Sequence, residues 1–158
     1  MRKTVLAGLV RDAVTQPTAP KTILFVEDEP LIRMDMAEVL RECGYCVLEA
    51  GTAKAAIEAL QADFVVDLVF TDINLPEGMN GLELVEWTLR HRPSVKVLVT
   101  TGDASRMTDV PPPLEPLLAK PYTGRDLLDR VKQALMNRLN EGGAGPKTGR
   151  NILKTRCY

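Results

Sequence analysis

Residues 65–72 read Val-Val-Asp-Leu-Val-Phe-Thr-Asp, an apolar run that ends in a carboxylate and leads into a turn, Leu-Pro-Glu-Gly-Met-Asn-Gly at 75–81. A short apolar run of this kind is typical of a strand in a parallel sheet that helices cover on both faces. Asp72 then stands where a buried strand gives way to a loop, at the edge where open α/β sheets bind their ligands. This position predicts that Asp72 is a reactive group.

Short apolar runs alternate with helical periodicity from residue 21 onward, and this alternation predicts a parallel α/β sheet. We expect five strands, at residues 22–26, 45–50, 68–71, 95–100 and 117–119. Helices are expected to begin at Pro30, after Thr52, after Gly81 and near Arg125. This connectivity predicts a flavodoxin-like, doubly wound five-stranded parallel sheet with strand order 2-1-3-4-5.

Apolar spacing also predicts which side of each helix faces the core. In the third helix we expect Leu82, Val85 and Leu89 to point inward. In the first helix, Cys43 closes the predicted apolar stripe and Gly44 ends the helix.

The segment between the fourth and fifth strands should be irregular, because prolines interrupt it. Pro111, Pro112, Pro113 and Pro116 lack backbone donors and hold the residues before them extended. We therefore expect the fourth helix, between these two strands, to be short or irregular.

Length and charge predict one acidic domain with basic ends. The chain has 158 residues, and 45% of them are hydrophobic, which is enough for one ordinary core. The net charge of −1 divides into +2 over residues 1–20, −7 over the middle of the chain and +4 over residues 142–158, which argues against general nucleic-acid binding by the folded part. We predict a flexible N-terminal extension at 1–20, one folded domain at 21–141 and a flexible basic tail at 142–158, with no room for a DNA-binding domain.

Several patterns predict a cytoplasmic address. No apolar stretch reaches the eighteen or more residues of a membrane-spanning helix. The apolar run at 4–10 is followed by charges and not by a cleavage site, so we do not expect a signal peptide. The three cysteines form no disulfide framework, and the Cys43-Gly44-Tyr45-Cys46 motif lies at the end of a helix, whereas a redox pair lies at its start.

Three more charged residues converge on Asp72. Glu27 and Asp28 follow the first strand, and Lys120 follows the fifth. In the predicted strand order the first and third strands are neighbours, so the three carboxylates come together. Like charges about 4 Å apart repel by roughly 4 kcal/mol at an effective dielectric of 20. Such a cluster takes up protons or binds a cation, and hard oxygen ligands favour Mg²⁺.

A magnesium site of this kind fits phosphoryl transfer, in which the protein positions groups and neutralises charge on the moving phosphoryl. A carboxylate can be the acceptor and form an aspartyl phosphate. Lys120 would supply further positive charge. Thr101, at the end of the fourth strand, offers a hydroxyl donor to a phosphate oxygen.

Taken together, these motifs resemble the receiver domain of two-component response regulators, over residues 21–141. The matching motifs are Ile-Leu-Phe-Val-Glu-Asp-Glu at 23–29, Asp72 with Leu75-Pro76, Gly-Met-Asn-Gly at 78–81, Thr101-Gly102 and Lys120-Pro121-Tyr122.

The resemblance implies a role for each residue of the predicted site. Asp72 would be the phosphoacceptor, and Thr101 and Lys120 would bind the phosphate. Mg²⁺ would be ligated by Asp28, Asp72 and the backbone carbonyl of Asn74, with Glu27 acting through water. Asn74 and Asp103 would tune how long the phosphoryl group survives.

The sequence departs from the family pattern at Leu117, where members usually carry an aromatic that moves inward on phosphorylation. With its prolines, the chain is similar to a single-domain receiver subgroup with a degenerate fourth helix. We therefore hypothesise that phosphorylation orders residues 103–116, which amide exchange with and without a phosphate mimic would test.

Three function classes remain open. The first is a single-domain receiver phosphorylated by a histidine kinase or a histidine phosphotransfer protein, acting through an unknown downstream protein. The second is an aspartate-nucleophile phosphatase, which needs a second acid where this chain has Asn74. The third is a pseudo-receiver that binds a partner without phosphorylation. We favour the first, a signalling domain that assists only its own phosphotransfer and dephosphorylation.

Overall fold

The computed structural model describes residues 19–62, 64–76, 78–103 and 117–136. Nine elements follow one another along these residues: β1 (Thr22–Val26), α1 (Pro30–Glu42), β2 (Cys46–Ala50), α2 (Ala53–Gln61), β3 (Leu68–Asp72), α3 (Gly81–His91), β4 (Lys96–Thr101), β5 (Leu118–Ala119) and α4 (Gly124–Met136). The strands form one sheet in the order β2-β1-β3-β4-β5, and every neighbouring pair is parallel. The predicted fold class and strand order are confirmed.

Some predictions fall on residues outside this description. The irregular helix expected between the fourth and fifth strands belongs to residues 104–116, which are not described. The same holds for residues 1–18 of the predicted N-terminal extension and for all of the predicted basic tail at 142–158. Within the part of the chain that is described, no helix combines the length and the apolar content needed to cross a membrane.

The register of the sheet decides which residues share its carboxyl edge. Val26 pairs with Thr71 and Asp72 pairs with Thr100. Thr101 pairs with Ala119, so the next residue, Lys120, leaves the sheet at the same edge. Parallel strands all end on one side, and this register therefore brings the ends of β1, β3, β4 and β5 together.

Side chains of the central strands alternate between two apolar layers, as expected for a sheet that is covered on both faces. On one face, Leu24 and Val69 pack against residues of α2 and α3. On the other, Phe25 and Phe70 stack with ring centroids 4.6 Å apart and pack against α1 and α4. Every residue of β3 is buried, and each large apolar side chain buried in this way contributes about 1.5–3 kcal/mol. Asp72 is thus the last residue of a strand that is buried throughout, the most buried of the five described strands.

Local sequence signals define where the helices begin and end. Pro30 begins α1, and Gly44, with a φ of 88°, lies just after its end. The Thr52 hydroxyl accepts a hydrogen bond from the Ala55 N–H at 3.1 Å and caps α2. Asn80 and Glu83 form a reciprocal capping box at the start of α3.

Two predicted inward positions were wrong. Val85 is buried as predicted and Leu82 is partly buried, but Leu89 is 37% exposed, and α3 buries Leu84 and Thr88 in its place. Cys43 is exposed and carries a free thiol, because it follows the last turn of α1 and does not lie on the packed stripe. Cys43 and Cys46 therefore do not form a disulfide with each other.

Candidate functional site

Three carboxylates gather at the carboxyl edge of the sheet. Glu27 directly follows β1, Asp28 comes next, and Asp72 is the last residue of β3. One carboxylate oxygen from each lies within 4.8 Å of the others. Glu27 and Asp72 are buried, with 1% and 5% exposure, whereas Asp28 lies exposed at the rim. The predicted acidic cluster forms, and it combines two buried groups with one that solvent can reach.

Lys120 joins the two buried carboxylates. Its Nζ donates hydrogen bonds to Glu27 Oε2 at 2.8 Å and to Asp72 Oδ2 at 2.5 Å. Its side chain is 22% exposed, so the ammonium lies partly beneath the surface. Bonds between an ammonium and a carboxylate are stronger than bonds between neutral groups, and they are stronger still away from bulk water. Lys120 therefore neutralises charge that Glu27 and Asp72 would otherwise leave in the interior.

Burial and pairing act in opposite directions on Glu27. Burial raises the pKa of Glu27 above its ordinary value, and the Lys120 ammonium only partly offsets that rise. Burial by itself would lower the pKa of Lys120, but hydrogen bonds and charge attraction from Asp72 and Glu27 raise it overall. Lys120 is thus held in its charged form, while Glu27 depends on a nearby positive charge to stay ionised.

The donor set of this cluster fits Mg²⁺. Carboxylate oxygens are the hard ligands that Mg²⁺ prefers, and one or two protein carboxylates are its usual complement. A carboxylate oxygen of the buried Asp72 lies within 4.8 Å of one from the exposed Asp28, so the cluster opens to solvent on the Asp28 side.

Asp72 is oriented from both sides. Its Oδ1 accepts a hydrogen bond from the backbone N–H of Asn74 at 2.9 Å, and its Oδ2 accepts from Lys120. Asn74 itself is exposed, in the loop that follows β3. With a donor on each oxygen, the carboxylate has one preferred orientation at the mouth of the sheet.

Thr101 lies at the same carboxyl edge of the sheet, and its backbone bonds to that of Lys120. It is the last residue of β4, it is buried, and its carbonyl accepts a hydrogen bond from the Lys120 N–H at 2.9 Å. Its hydroxyl oxygen accepts from the Asp103 N–H at 3.1 Å. The neighbouring Thr100 hydroxyl donates to the Leu118 carbonyl at 2.6 Å, which ties β4 to β5. Thr101 and Lys120 are therefore fixed relative to each other by adjacent strands.

Two aromatic or apolar positions near Lys120 have different surroundings. Leu117, which stands where receiver domains usually carry an aromatic, packs against Ile73, Val85 and Val99. The ring of Tyr122 packs edge-on against Phe70 with centroids 6.0 Å apart. Among the residues that the structure describes, the buried Tyr122 hydroxyl finds no hydrogen-bond partner.

Two residues near the site were missed by sequence reasoning. Arg33 Nη1 donates to the Glu27 carbonyl at 2.6 Å, although Arg33 lies inside α1 and outside any recognised motif. Gly81 was placed only in the turn motif that precedes a helix, but its N–H donates to the Ile73 carbonyl at 2.9 Å, directly behind Asp72. A glycine at the start of α3 signals close backbone approach, whereas nothing local identifies Arg33.

Comparisons with known proteins identify the family to which this fold belongs. The family model described as the response regulator receiver domain matches residues 23–132. The response regulator receiver protein CpdR of Brucella abortus is 32% identical over 120 residues, which are 73% of this chain and 98% of CpdR. A crystal structure of the response regulator protein TrrA from Thermotoga maritima, in complex with Mg²⁺-BeF, has a TM-score of 0.65 and 29% identity, and the match covers 73% of this chain and 99% of TrrA.

A longer relative matches only in part. The aerobic respiration control protein ArcA of Escherichia coli is 32% identical over 123 residues, which are 76% of this chain and 50% of ArcA. The chain thus spans about half the length of that curated relative.

Proposed function

Because the chain belongs to the response regulator receiver family, we propose that it accepts a phosphoryl group on Asp72 and signals through contacts with other proteins. The donor is a histidine kinase or a histidine phosphotransfer protein, and the location is the cytoplasm. The observation that carries this proposal is the Lys120 ammonium, which bonds to both Glu27 and Asp72 in a pocket that also holds Asp28.

The proposed reaction is a displacement at phosphorus. A carboxylate oxygen of Asp72 forms a P–O bond while the P–N bond to the donor imidazole breaks, and the imidazole leaves with its electron pair and takes up a proton. The buried position of Asp72 keeps most water away from the reacting atoms. The hydrogen bonds from Asn74 and Lys120 hold the carboxylate in one orientation before the donor arrives.

Lys120 and Thr101 stabilise the charge that develops on the phosphoryl oxygens. In this proposal the Lys120 ammonium moves from Asp72 Oδ2 to a phosphoryl oxygen, and the Thr101 hydroxyl donates to a second one. Asp28, Asp72 and the Asn74 carbonyl would hold Mg²⁺, with Glu27 acting through water. When bound, Mg²⁺ would supply the remaining positive charge.

Receiver domains are signalling domains and not enzymes in the ordinary sense. We propose that these residues assist two reactions of the chain itself, the gain of the phosphoryl group and its later hydrolysis. We also propose that the phosphorylated chain acts through a downstream protein partner.

Intact mass measurement tests the proposal directly. The full chain is incubated with acetyl phosphate, with and without Mg²⁺, and wild type is compared with Asp72→Ala. One phosphoryl adduct is expected on wild type with Mg²⁺, and none on the variant. Asp35→Ala is the matched control, since it removes an exposed aspartate of α1 and should leave the adduct in place. Failure of wild type to gain the adduct from acetyl phosphate and from a histidine kinase would favour a pseudo-receiver.

A further inference from the structure

Arg33 contacts the backbone of Glu27 and Asp28, which form the acidic loop after β1. It lies in α1, its side chain is 20% exposed, and its Nη1 donates to the Glu27 carbonyl at 2.6 Å and more weakly to the Asp28 carbonyl at 3.4 Å. The N–H of the same residue, Glu27, donates to the Ala50 carbonyl at 3.1 Å. The backbone at Glu27 is thus held at both its donor and its acceptor.

Arg33 is itself held by the neighbouring strand. Glu49 of β2 lies 3.7 Å from Arg33 Nε through its Oε2, and its Oε1 accepts a hydrogen bond from Arg41 Nη2 at 2.6 Å. Arg41 Nη2 also donates to the Val47 carbonyl at 3.2 Å. A side chain on Gly51 would press on the Arg33 guanidinium, since its Cβ would lie 3.2 Å from Nη1. Charged groups of β2 and α1 therefore place this guanidinium against the loop.

The guanidinium binds carbonyl oxygens and leaves the carboxylates of Glu27 and Asp28 to the pocket. By charge alone, a cation at this position repels a second cation in the pocket. Through its hydrogen bonds, however, the guanidinium fixes the loop that carries Glu27 and Asp28, two of the three clustered carboxylates. These two effects on Mg²⁺ affinity have opposite signs, so they can be separated by experiment.

We propose that Arg33 is a positioning residue for the Mg²⁺ site, and that it acts by holding the carbonyl groups of Glu27 and Asp28. The inference rests on the proposed function, because it concerns the affinity of that same site. Outer groups that orient metal ligands typically change metal affinity by roughly 10–100-fold when they are removed.

The test is calorimetric titration of the full chain with Mg²⁺ alone. Arg33→Met should weaken binding by roughly tenfold. Arg33→Lys keeps the charge but loses the forked donor, so it should bind Mg²⁺ more weakly than wild type and more tightly than Arg33→Met. Arg41→Met is the matched control, because it removes one charge from the same network without touching the loop, and it should bind Mg²⁺ like wild type.

Each outcome has a separate meaning. Unchanged or tighter Mg²⁺ binding by Arg33→Met would overturn the inference, as would equal weakening by Arg41→Met. If circular dichroism shows that Arg33→Met is unfolded, Arg33→Lys decides, and binding equal to wild type then overturns the inference. Absence of saturable Mg²⁺ binding by wild type would overturn the proposed function and this inference together.

Discussion

The backbone of Gly81 lies against the backbone of Asp72, so closely that a Cβ on Gly81 would overlap the Asp72 carbonyl. The first residue of α3 thus touches the last residue of β3, and the Gly81 N–H bonds to the Ile73 carbonyl between them. Only glycine permits this approach, because any other residue would have to move the strand end that carries Asp72.

The first prediction concerns this contact. Gly81→Ala should lower the free energy of unfolding by about 1–3 kcal/mol, because the added methyl forces a shift of rigid backbone. Urea unfolding measures the change. Gly102→Ala is the matched control, since its Cβ would meet only ordinary contacts with Lys120, at 3.9 Å and beyond, and its cost should stay within about 0.5 kcal/mol. Equal stability of the two variants would contradict the close approach.

The second prediction concerns the partner of Glu27. Lys120→Met should cost about 1–3 kcal/mol at pH 7, because it leaves a buried carboxylate without its ammonium. The pKa of Glu27 is already raised by burial above its ordinary 4.5, and loss of the cation raises it further. A folded-state pKa above the unfolded value gives stability that is present at low pH and is lost as pH rises through it.

The cost of Lys120→Met should therefore shrink between pH 7 and pH 5, as Glu27 takes up a proton. Urea unfolding of wild type and variant at both pH values measures this difference. A cost that is the same at both pH values would show that Glu27 is not the group left unpaired.

The third prediction concerns Tyr122, whose buried hydroxyl has no partner among the described residues. Tyr122→Phe should keep or raise the free energy of unfolding, by up to about 1 kcal/mol, since it removes a group that is desolvated without compensation. Burial, together with the charges of Glu27 and Asp72, raises the pKa of Tyr122 above its ordinary 10.0. The contribution of the protonated Tyr122 phenol to the free energy of unfolding is therefore present below pH 10 and is lost as pH rises further.

Above pH 10, wild type should therefore lose stability faster than Tyr122→Phe. Denaturant unfolding at pH 8 and at pH 10.5 gives the comparison. Tyr45 is common to both proteins, so its own raised pKa does not affect the difference. Parallel loss of stability in the two proteins would argue against a buried phenol at this position.

The fourth prediction concerns the Thr101 hydroxyl. Thr101→Ala should slow formation of the phosphoryl adduct by roughly 10–100-fold, since a hydrogen bond to a charged group contributes about 1.5–3 kcal/mol. Thr101→Ser keeps the donor and should restore most of the rate. Time courses of intact mass with acetyl phosphate and Mg²⁺ measure both. Similar rates for Thr101→Ala and wild type would remove Thr101 from the proposed mechanism.

Much of the fold was predictable from local patterns. The run before Asp72 is apolar at nearly every position because β3 is covered on both faces, and this continuous pattern separates a central strand from an amphipathic one. The residues at the strand exits could be identified because every parallel strand ends at one edge. Glu27, Asp72 and Lys120 meet there for that reason, although they are far apart along the chain.

The errors and omissions have physical causes. The apolar spacing of α3 allows more than one stripe, and Thr88 can be buried in place of Leu89 because its hydroxyl bonds to the Leu84 carbonyl at 2.8 Å within the same helix. The positioning role of Arg33 could not be identified from sequence, because the α1 residue is held in place by Glu49 of β2. Contacts of this kind arise from tertiary packing, and no short sequence pattern records them.

The pairing of β5 with β4, which positions Lys120, is only two residues long. Leu118 and Ala119 pair with Thr100 and Thr101, and the bond from Thr100 Oγ1 to the Leu118 carbonyl pins that alignment. Side chains alternate along a strand, so sliding β5 by one residue would turn the ammonium to the opposite face of the sheet. Deleting one residue between Leu117 and Lys120 should therefore remove the Lys120 ammonium from its contacts with Glu27 and Asp72.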